Sequence, residues 1–179
     1  MHTDPGKDSR LSVAAGLYIG LVERTFGKVS EDEFGKLHAT GIEFNLSHSG
    51  RYVAFACSDC PVGIDIERIG RNTNIARRVM VSEEYDDFLK ADDRDDAFCR
   101  LWTAKESYIK ALGQGLRLQP NTFRALYGAE IKCPSTDMWI MELDSPQGYR
   151  LSVCSADTEC SCRSVTISDL LKASSLNDL

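Results

Sequence analysis

The chain has 179 residues, is 42% hydrophobic and 27% charged, and carries a formal net charge of −6. That profile excludes fibrous and disordered classes and fits a globular protein of one domain, or of two small halves sharing a core. The acidic balance argues against a nucleic-acid partner, and no run of about 18 apolar residues suits a membrane span.

The start, MHTDPGKDSR, is polar and lacks the apolar core of a secretory signal, so a cytoplasmic location is expected. Arg10 to Phe26 predicts a helix, with Leu11, Ala14, Ala15, Tyr18, Leu21 and Val22 at helical spacing and Gly27 ending it. Glu43 to Leu46 and Tyr52 to Cys57 predict strands joined by the turn-like Ser47-His48-Ser49-Gly50. A third strand is expected from Val62 to Glu67, then a polar link from Arg68 and a helix from Ile75 to about Val81. Ser82 reads as the N-cap of the next helix, which runs to about Lys90. The acidic patch Asp92 to Asp96 opens a longer helix that Gly113 and Gly115 close. Phe123 to Ile131, Met138 to Leu143, Tyr149 to Cys154 and Ser164 to Ile167 read as β-rich. Strands joined by short turns, with helices grouped between them, predict an α+β fold with antiparallel sheets.

Seven cysteines, an odd count, fit free thiols in a reducing compartment. Cys57-Ser-Asp-Cys60 and Cys160-Ser-Cys162 have metal-like spacing but no nearby histidine, and read as small hydrophobes at strand ends.

Three segments carry chemistry. In VGIDIE, Val62 to Glu67, strand alternation puts Ile64 and Ile66 on one face and Asp65 and Glu67 on the other, about 7 Å apart. Alone, that is an amphipathic strand with an acidic face. In WTAKESYIKALGQGL, Trp102 to Leu116, the apolar residues Phe98, Leu101, Trp102, Tyr108, Ile109 and Leu112 span about 120° at about 100° per residue. Lys105 falls near the centre of that stripe, and a buried ammonium needs a partner. It is expected to run along the apolar wall towards acidic or phosphate oxygens. Glu106 and Lys110 are neighbours one turn apart at the margin, which on a plain surface would be a weak ion pair. Were Glu106 to pack over Asp65 and Glu67, three carboxylates within about 4 Å would repel by about 4 kcal/mol per pair at an effective dielectric near 20. Such a cluster takes up protons or holds a hard cation such as Mg²⁺. In FNLSHSG, Phe44 to Gly50, Ser47 and His48 could donate to phosphate oxygens from a strand end, or Ser47 and Ser49 could simply form a turn.

The three segments together, in this order, resemble the 4′-phosphopantetheinyl transferase superfamily, and most of all its surfactin-synthetase-activating branch. The likeness runs from about Asp8 to Leu171, including a Phe-Gly-Lys element at Phe34-Gly35-Lys36 (or Phe26-Gly27-Lys28) and the strand YRLSVCS, Tyr149 to Ser155. The resemblance implies two similar α+β halves related by a pseudo-two-fold axis: a shortened half, residues 1–61, that contacts coenzyme A, and residues 62–179 bearing the metal and catalytic groups. It implies transfer of 4′-phosphopantetheine from coenzyme A to a serine of an acyl, peptidyl or aryl carrier protein, with Mg²⁺ (or Mn²⁺) and release of 3′,5′-ADP. Asp65, Glu67 and Glu106 would hold the metal. Glu106 and Lys110 would be catalytic, and Arg10, Lys36, Ser47, His48 and Lys110 would contact coenzyme A. Arg71, Arg77 and Arg78 are candidates for docking an acidic carrier. The alternative is a relative that binds coenzyme A or a carrier without transfer.

Overall fold

The computed structural model describes residues 5–70 and 73–175, with the side chains of residues 5–11 and of Leu116 outside that description. Helix α1 (Pro5–Phe26) leads through the short strands β1 (Ser30–Glu31) and β2 (Leu37–His38) to a hairpin of β3 (Glu43–Ser49) and β4 (Tyr52–Ser58), then to β5 (Val62–Arg68). Three helices follow, α2 (Ala76–Val79), α3 (Ser82–Lys90) and α4 (Arg94–Leu112). The chain continues through β6 (Leu126–Tyr127), β7 (Glu130–Ile131), β8 (Trp139–Glu142) and β9 (Tyr149–Ser155) and ends in α5 (Ile167–Ser175). All strand pairs are antiparallel, and β5, β9 and β8 form one sheet in that order. The fold is α+β. No helix among the described residues is long and apolar enough to cross a membrane, and all seven cysteines are free.

The central sheet is apolar on one side and mixed on the other, as alternation requires. Ile64, Ile66, Leu151 and Val153 pack against Ala54 of β4. The opposite face of β5, bearing Gly63, Asp65 and Glu67, lies under α4, whose Phe98, Leu101, Ala104 and Tyr108 form a second core with Met80, Phe88 and Cys154. At the far end α1 rests on β4, with the Tyr18 and Phe55 rings stacked 4.6 Å apart, and on α5.

Lys105 does not run out to solvent. It is fully buried and donates to Glu84 Oε2 at 2.5 Å and to the carbonyls of Val79, Pro120 and Phe123 at 3.0, 2.8 and 2.9 Å. The other Glu84 oxygen accepts from the Ala125 and Leu126 amides at 2.7 and 3.1 Å. One buried ion pair thus ties α2, α3, α4 and the entry to β6 together. Burial pulls the Lys105 ammonium down from its ordinary value, and Glu84 holds it up.

Other expectations shift in instructive ways. Ser47 to Ser49 lie inside β3, and the turn is only Gly50-Arg51, because the β3–β4 register pairs Ser49 with Tyr52. Gly50 has φ +59°, and a Cβ there would meet the Tyr149 hydroxyl at 2.0 Å. The cap of α3 is Val81, one residue before Ser82, and the Val81 amide donates to Glu84 Oε2 at 3.1 Å. Ser164 to Ile167 is not a strand: Thr166 and Asp169 exchange backbone-to-side-chain bonds at 2.9 and 3.2 Å and start α5. The predicted opening and end of α4 hold, with Asp93 accepting from the Asp96 amide at 2.9 Å and Gly113 left-handed at the C-cap.

Two stability outcomes follow. Glu84→Ala strands a buried ammonium and should lower the urea-derived stability by about 3–5 kcal/mol, much of it regained in Glu84→Ala/Lys105→Met. Asp96 forms a two-point bond with Arg150, at 2.7 and 2.5 Å, and this holds its carboxyl below the ordinary 3.8. Its folded-state pKa is depressed, so the stabilisation is present above that ordinary value and lost as pH falls through the depressed one. The stability difference between wild type and Asp96→Asn should therefore be constant at neutral pH and shrink below pH about 4.

Candidate active site

The contact between α4 and β5 creates the site. A Cβ at Gly63 would stand 2.2 Å from the Ser107 carbonyl oxygen and 2.3 Å from the Ala111 nitrogen, so only glycine lets the helix lie this close. Cys99, Thr103, Glu106 and Lys110 form one stripe of α4 by helical spacing. Its ends are fixed by contacts to the sheet. Cys99 donates to the Glu67 carbonyl at 3.4 Å, Thr103 meets Ser152 at 3.0 Å, and Lys110 reaches Asp65 Oδ1 at 2.7 Å and the Ile64 carbonyl at 3.2 Å. Glu106 stands on that stripe one turn before Lys110.

The second wall comes from β3. Asn45, Ser47 and Ser49 share one face and join β3 to β5 without a backbone ladder. Asn45 Oδ1 accepts from the Ile64 amide at 3.0 Å, Ser47 Oγ from Ile66 at 3.3 Å and Ser49 Oγ from Arg68 at 3.0 Å. The same hydroxyls donate to the carboxylates, Ser47 to Asp65 Oδ1 at 2.8 Å and Ser49 to Glu67 Oε1 at 2.5 Å.

Between these walls lies a cavity of about 500 Å³ whose lining includes Lys36, Asn45, Arg78, Trp102, Glu106 and Lys110. Lys36 Nζ donates to the Ala111 carbonyl and pairs with Glu43, both at 3.2 Å. Three cations thus border one concavity in a chain of net charge −6, the local basic cluster that an anionic ligand requires.

Asp65 is a perturbed acid at the centre of the site. Burial raises its pKa, Lys110 and then Ser47 oppose this, and Glu67 adds to the rise. Its second oxygen, Oδ2, is buried with no hydrogen-bond partner. An unmatched carboxylate oxygen in that position fits a hard cation or a ligand donor. Burial with Glu67 and Asp65 close by also pushes the Cys99 thiol up to about 12, which leaves it inert. Among the described residues no three His, Cys, Asp or Glu side chains are gathered as a ready ion cage.

The anticipated residues divide clearly. Asp65, Ser47 and Lys110 are brought into direct contact, and Glu67 is joined to Ser49. Glu106, Lys110 and Lys36 share the cavity wall. His48 is exposed, on the opposite face of β3 from Ser47. Arg10 lies in α1 with its side chain outside the description, and Arg71 lies outside the described residues. Asn45 was not anticipated, although Asn45-x-Ser47-x-Ser49 with period 2 signals a polar strand face.

The candidate site thus combines a buried carboxylate with an orphaned oxygen, a lysine bonded to it and an adjoining cavity. The pattern of the 4′-phosphopantetheinyl transferase superfamily matches residues 61–154, more than half of the chain, and the protein belongs to that superfamily. A "4′-phosphopantetheinyl transferase" of Bacillus subtilis is 35% identical over 136 residues, 69% of this chain and 61% of its own. The "4′-phosphopantetheinyl transferase Sfp" of Bacillus subtilis strain 168 is 34% identical over 141 residues, 72% of this chain and 63% of its own. For "4′-phosphopantetheinyl transferase gsp" of Aneurinibacillus migulanus the figures are 38% over 138 residues, 70% and 56%. The chain thus spans about three fifths of the length of the curated relatives it matches.

Gly63→Ala should force α4 off β5 and destabilise the protein by about 3 kcal/mol or more, read from urea denaturation. An unchanged midpoint would mean that the helix yields freely and that its height over the strand is not fixed by this residue.

Proposed function

We propose that the protein transfers the 4′-phosphopantetheine group of coenzyme A to a serine of an apo carrier protein in the cytoplasm, releasing 3′,5′-ADP. The observation that supports this most directly is the Asp65 carboxylate, held by Ser47 and Lys110 with Oδ2 unmatched, beside a cavity bordered by Lys36, Arg78 and Lys110. Membership of the superfamily supports the reaction class.

The residues then take the following roles. Asp65, Glu67 and Glu106 would hold Mg²⁺, which when bound neutralises the diphosphate of coenzyme A. Lys110 shares its charge between Asp65 and the transferring phosphate, and its anchor on the Ile64 carbonyl keeps it aimed. Glu106 accepts the proton of the carrier serine as its oxygen attacks phosphorus. Lys36 contacts phosphate oxygens from the cavity rim, Ser47 acts on the ligand through the Asp65 carboxylate that it holds, and His48 meets the nucleotide outside the cavity wall. Residues 1–61 supply that nucleotide wall, and residues 62–179 supply the metal and proton-transfer groups. Arg77 and Arg78 are exposed on α2 beside the cavity, where they would attract the acidic surface of an acyl, peptidyl or aryl carrier.

The test is incubation with coenzyme A, Mg²⁺ and an apo carrier, followed by mass spectrometry of the carrier. The expected result is a gain of one phosphopantetheine group, abolished in Asp65→Ala and reduced at least about 100-fold in Glu106→Gln if it is the general base. Binding of coenzyme A without any mass gain would replace the transferase reading with that of a non-catalytic coenzyme A-binding relative.

A further inference from the structure

The turn that carries Lys36 is built and then clasped. Asp32 Oδ1 accepts from the amides of Phe34 and Lys36 at 2.8 and 2.9 Å, and its other oxygen meets His38 Nε2 at 2.9 Å. The Asp32 amide donates to the Lys36 carbonyl at 3.0 Å, which closes the loop. These bonds shape the turn, but they do not fix where it sits against α4. Two glycines after the helix make room for it. A Cβ at Gly113 would touch Lys36 Cδ at 3.1 Å, and one at Gly115 would meet Phe34 Cβ and its carbonyl oxygen at 3.6 Å. Over the outer side of the turn lies Arg117, its guanidinium carbon 4.3 Å from the centre of the Phe34 ring. Phe34 is 36% exposed, and Arg117 covers one side of its ring.

We infer that Arg117 is a positioning residue: its guanidinium, stacked on Phe34, clasps the 32–36 turn against the end of α4 and so holds Lys36 at the cavity rim. Lys36 is worth holding there. Its side chain is 10% exposed, and its ammonium binds the last-turn carbonyl of Ala111 and the Glu43 carboxylate. An anionic ligand at the rim meets a lysine already placed, rather than one that must be recruited from solvent at an entropic cost. The clasp also joins the β1–β2 hairpin to the segment after α4, two regions about eighty residues apart in sequence, so that the cavity has one continuous wall. The ligand assignment rests on the coenzyme A reading above; the clasp itself does not.

The experiment uses the full chain as wild type, Arg117→Ala, Phe34→Leu and Lys36→Ala, with Arg117→Ala and Phe34→Leu each also made in the Lys36→Ala background. Coenzyme A binding is measured by titration calorimetry, and amide hydrogen exchange is followed at Phe34 to Lys36. An exposed cation–ring contact predicts that Arg117→Ala and Phe34→Leu each weaken binding about three- to fivefold and speed exchange of those amides by a similar factor. In the Lys36→Ala background neither should weaken binding further. Phe34→Leu is decisive because it removes the ring and leaves every charge in place. The inference is overturned if exchange is unchanged. It is equally overturned if Arg117→Ala still weakens binding without Lys36 while Phe34→Leu does nothing, since Arg117 would then act as a bare charge. Should the wild type not bind coenzyme A, the functional reading fails on its own, and the exchange rates alone decide for or against the clasp.

Discussion

Everything in the site depends on how closely α4 lies on β5. The absence of a side chain at Gly63 lets the backbone of Ser107 and Ala111 rest on the strand. From that height the Lys110 side chain reaches Asp65, while Cys99 and Thr103 meet Glu67 and Ser152 further along. With a larger residue at position 63, the ammonium and the carboxylate would part and the buried acid would lose its main stabilising charge. Close packing of backbone on backbone, rather than any single polar contact, makes a buried acid tolerable here.

The electrostatics follow from that packing. A carboxylate this deep is penalised by desolvation, and Lys110 and the Ser47 hydroxyl offset the penalty only at Oδ1. Oδ2 is left over. A fold stabilised for its own sake would match that oxygen or replace Asp65 by an apolar residue, because an unmatched buried group destabilises. Under the proposed function, that imbalance is what a bound cation or ligand would relieve. In a chain of net charge −6, Lys36, Arg78 and Lys110 nevertheless border one concavity, which is where the proposed anionic ligand would find local positive charge.

The sequence announced the main elements well. The strand VGIDIE, the helix through Trp102 and its glycine stop, and the antiparallel α+β architecture were all readable from periodicity and caps. Ser47 to Ser49 were not, because serine, histidine and glycine in a row have turn chemistry. The strand wins because Asn45, Ser47 and Ser49 replace a backbone ladder by bonding β5 amides, and only the tertiary structure shows which amides need partners. The destination of Lys105 was hidden for a similar reason. Its position in the apolar stripe signals burial, but the partner, Glu84, lies in the first turn of another helix, where an acid is expected on helix-dipole grounds alone.

The adjacency of Lys105 and Glu106 then acquires a mechanical sense. Successive residues on a helix point about 100° apart, so one lysine and one glutamate side by side address two different environments. Lys105 is locked on the inner side by Glu84 and three carbonyls, with no freedom to turn. A helix pinned at that residue cannot roll on its axis. Glu106, the next residue, and Lys110, one turn later, are therefore held facing the cavity and Asp65 even though both side chains end near solvent. A purely apolar residue at 105 would pack the same core but would let the helix slide or rotate within a greasy contact, since dispersion is not directional. The buried ammonium supplies direction, and the aim of the functional face is set from the opposite side of the helix.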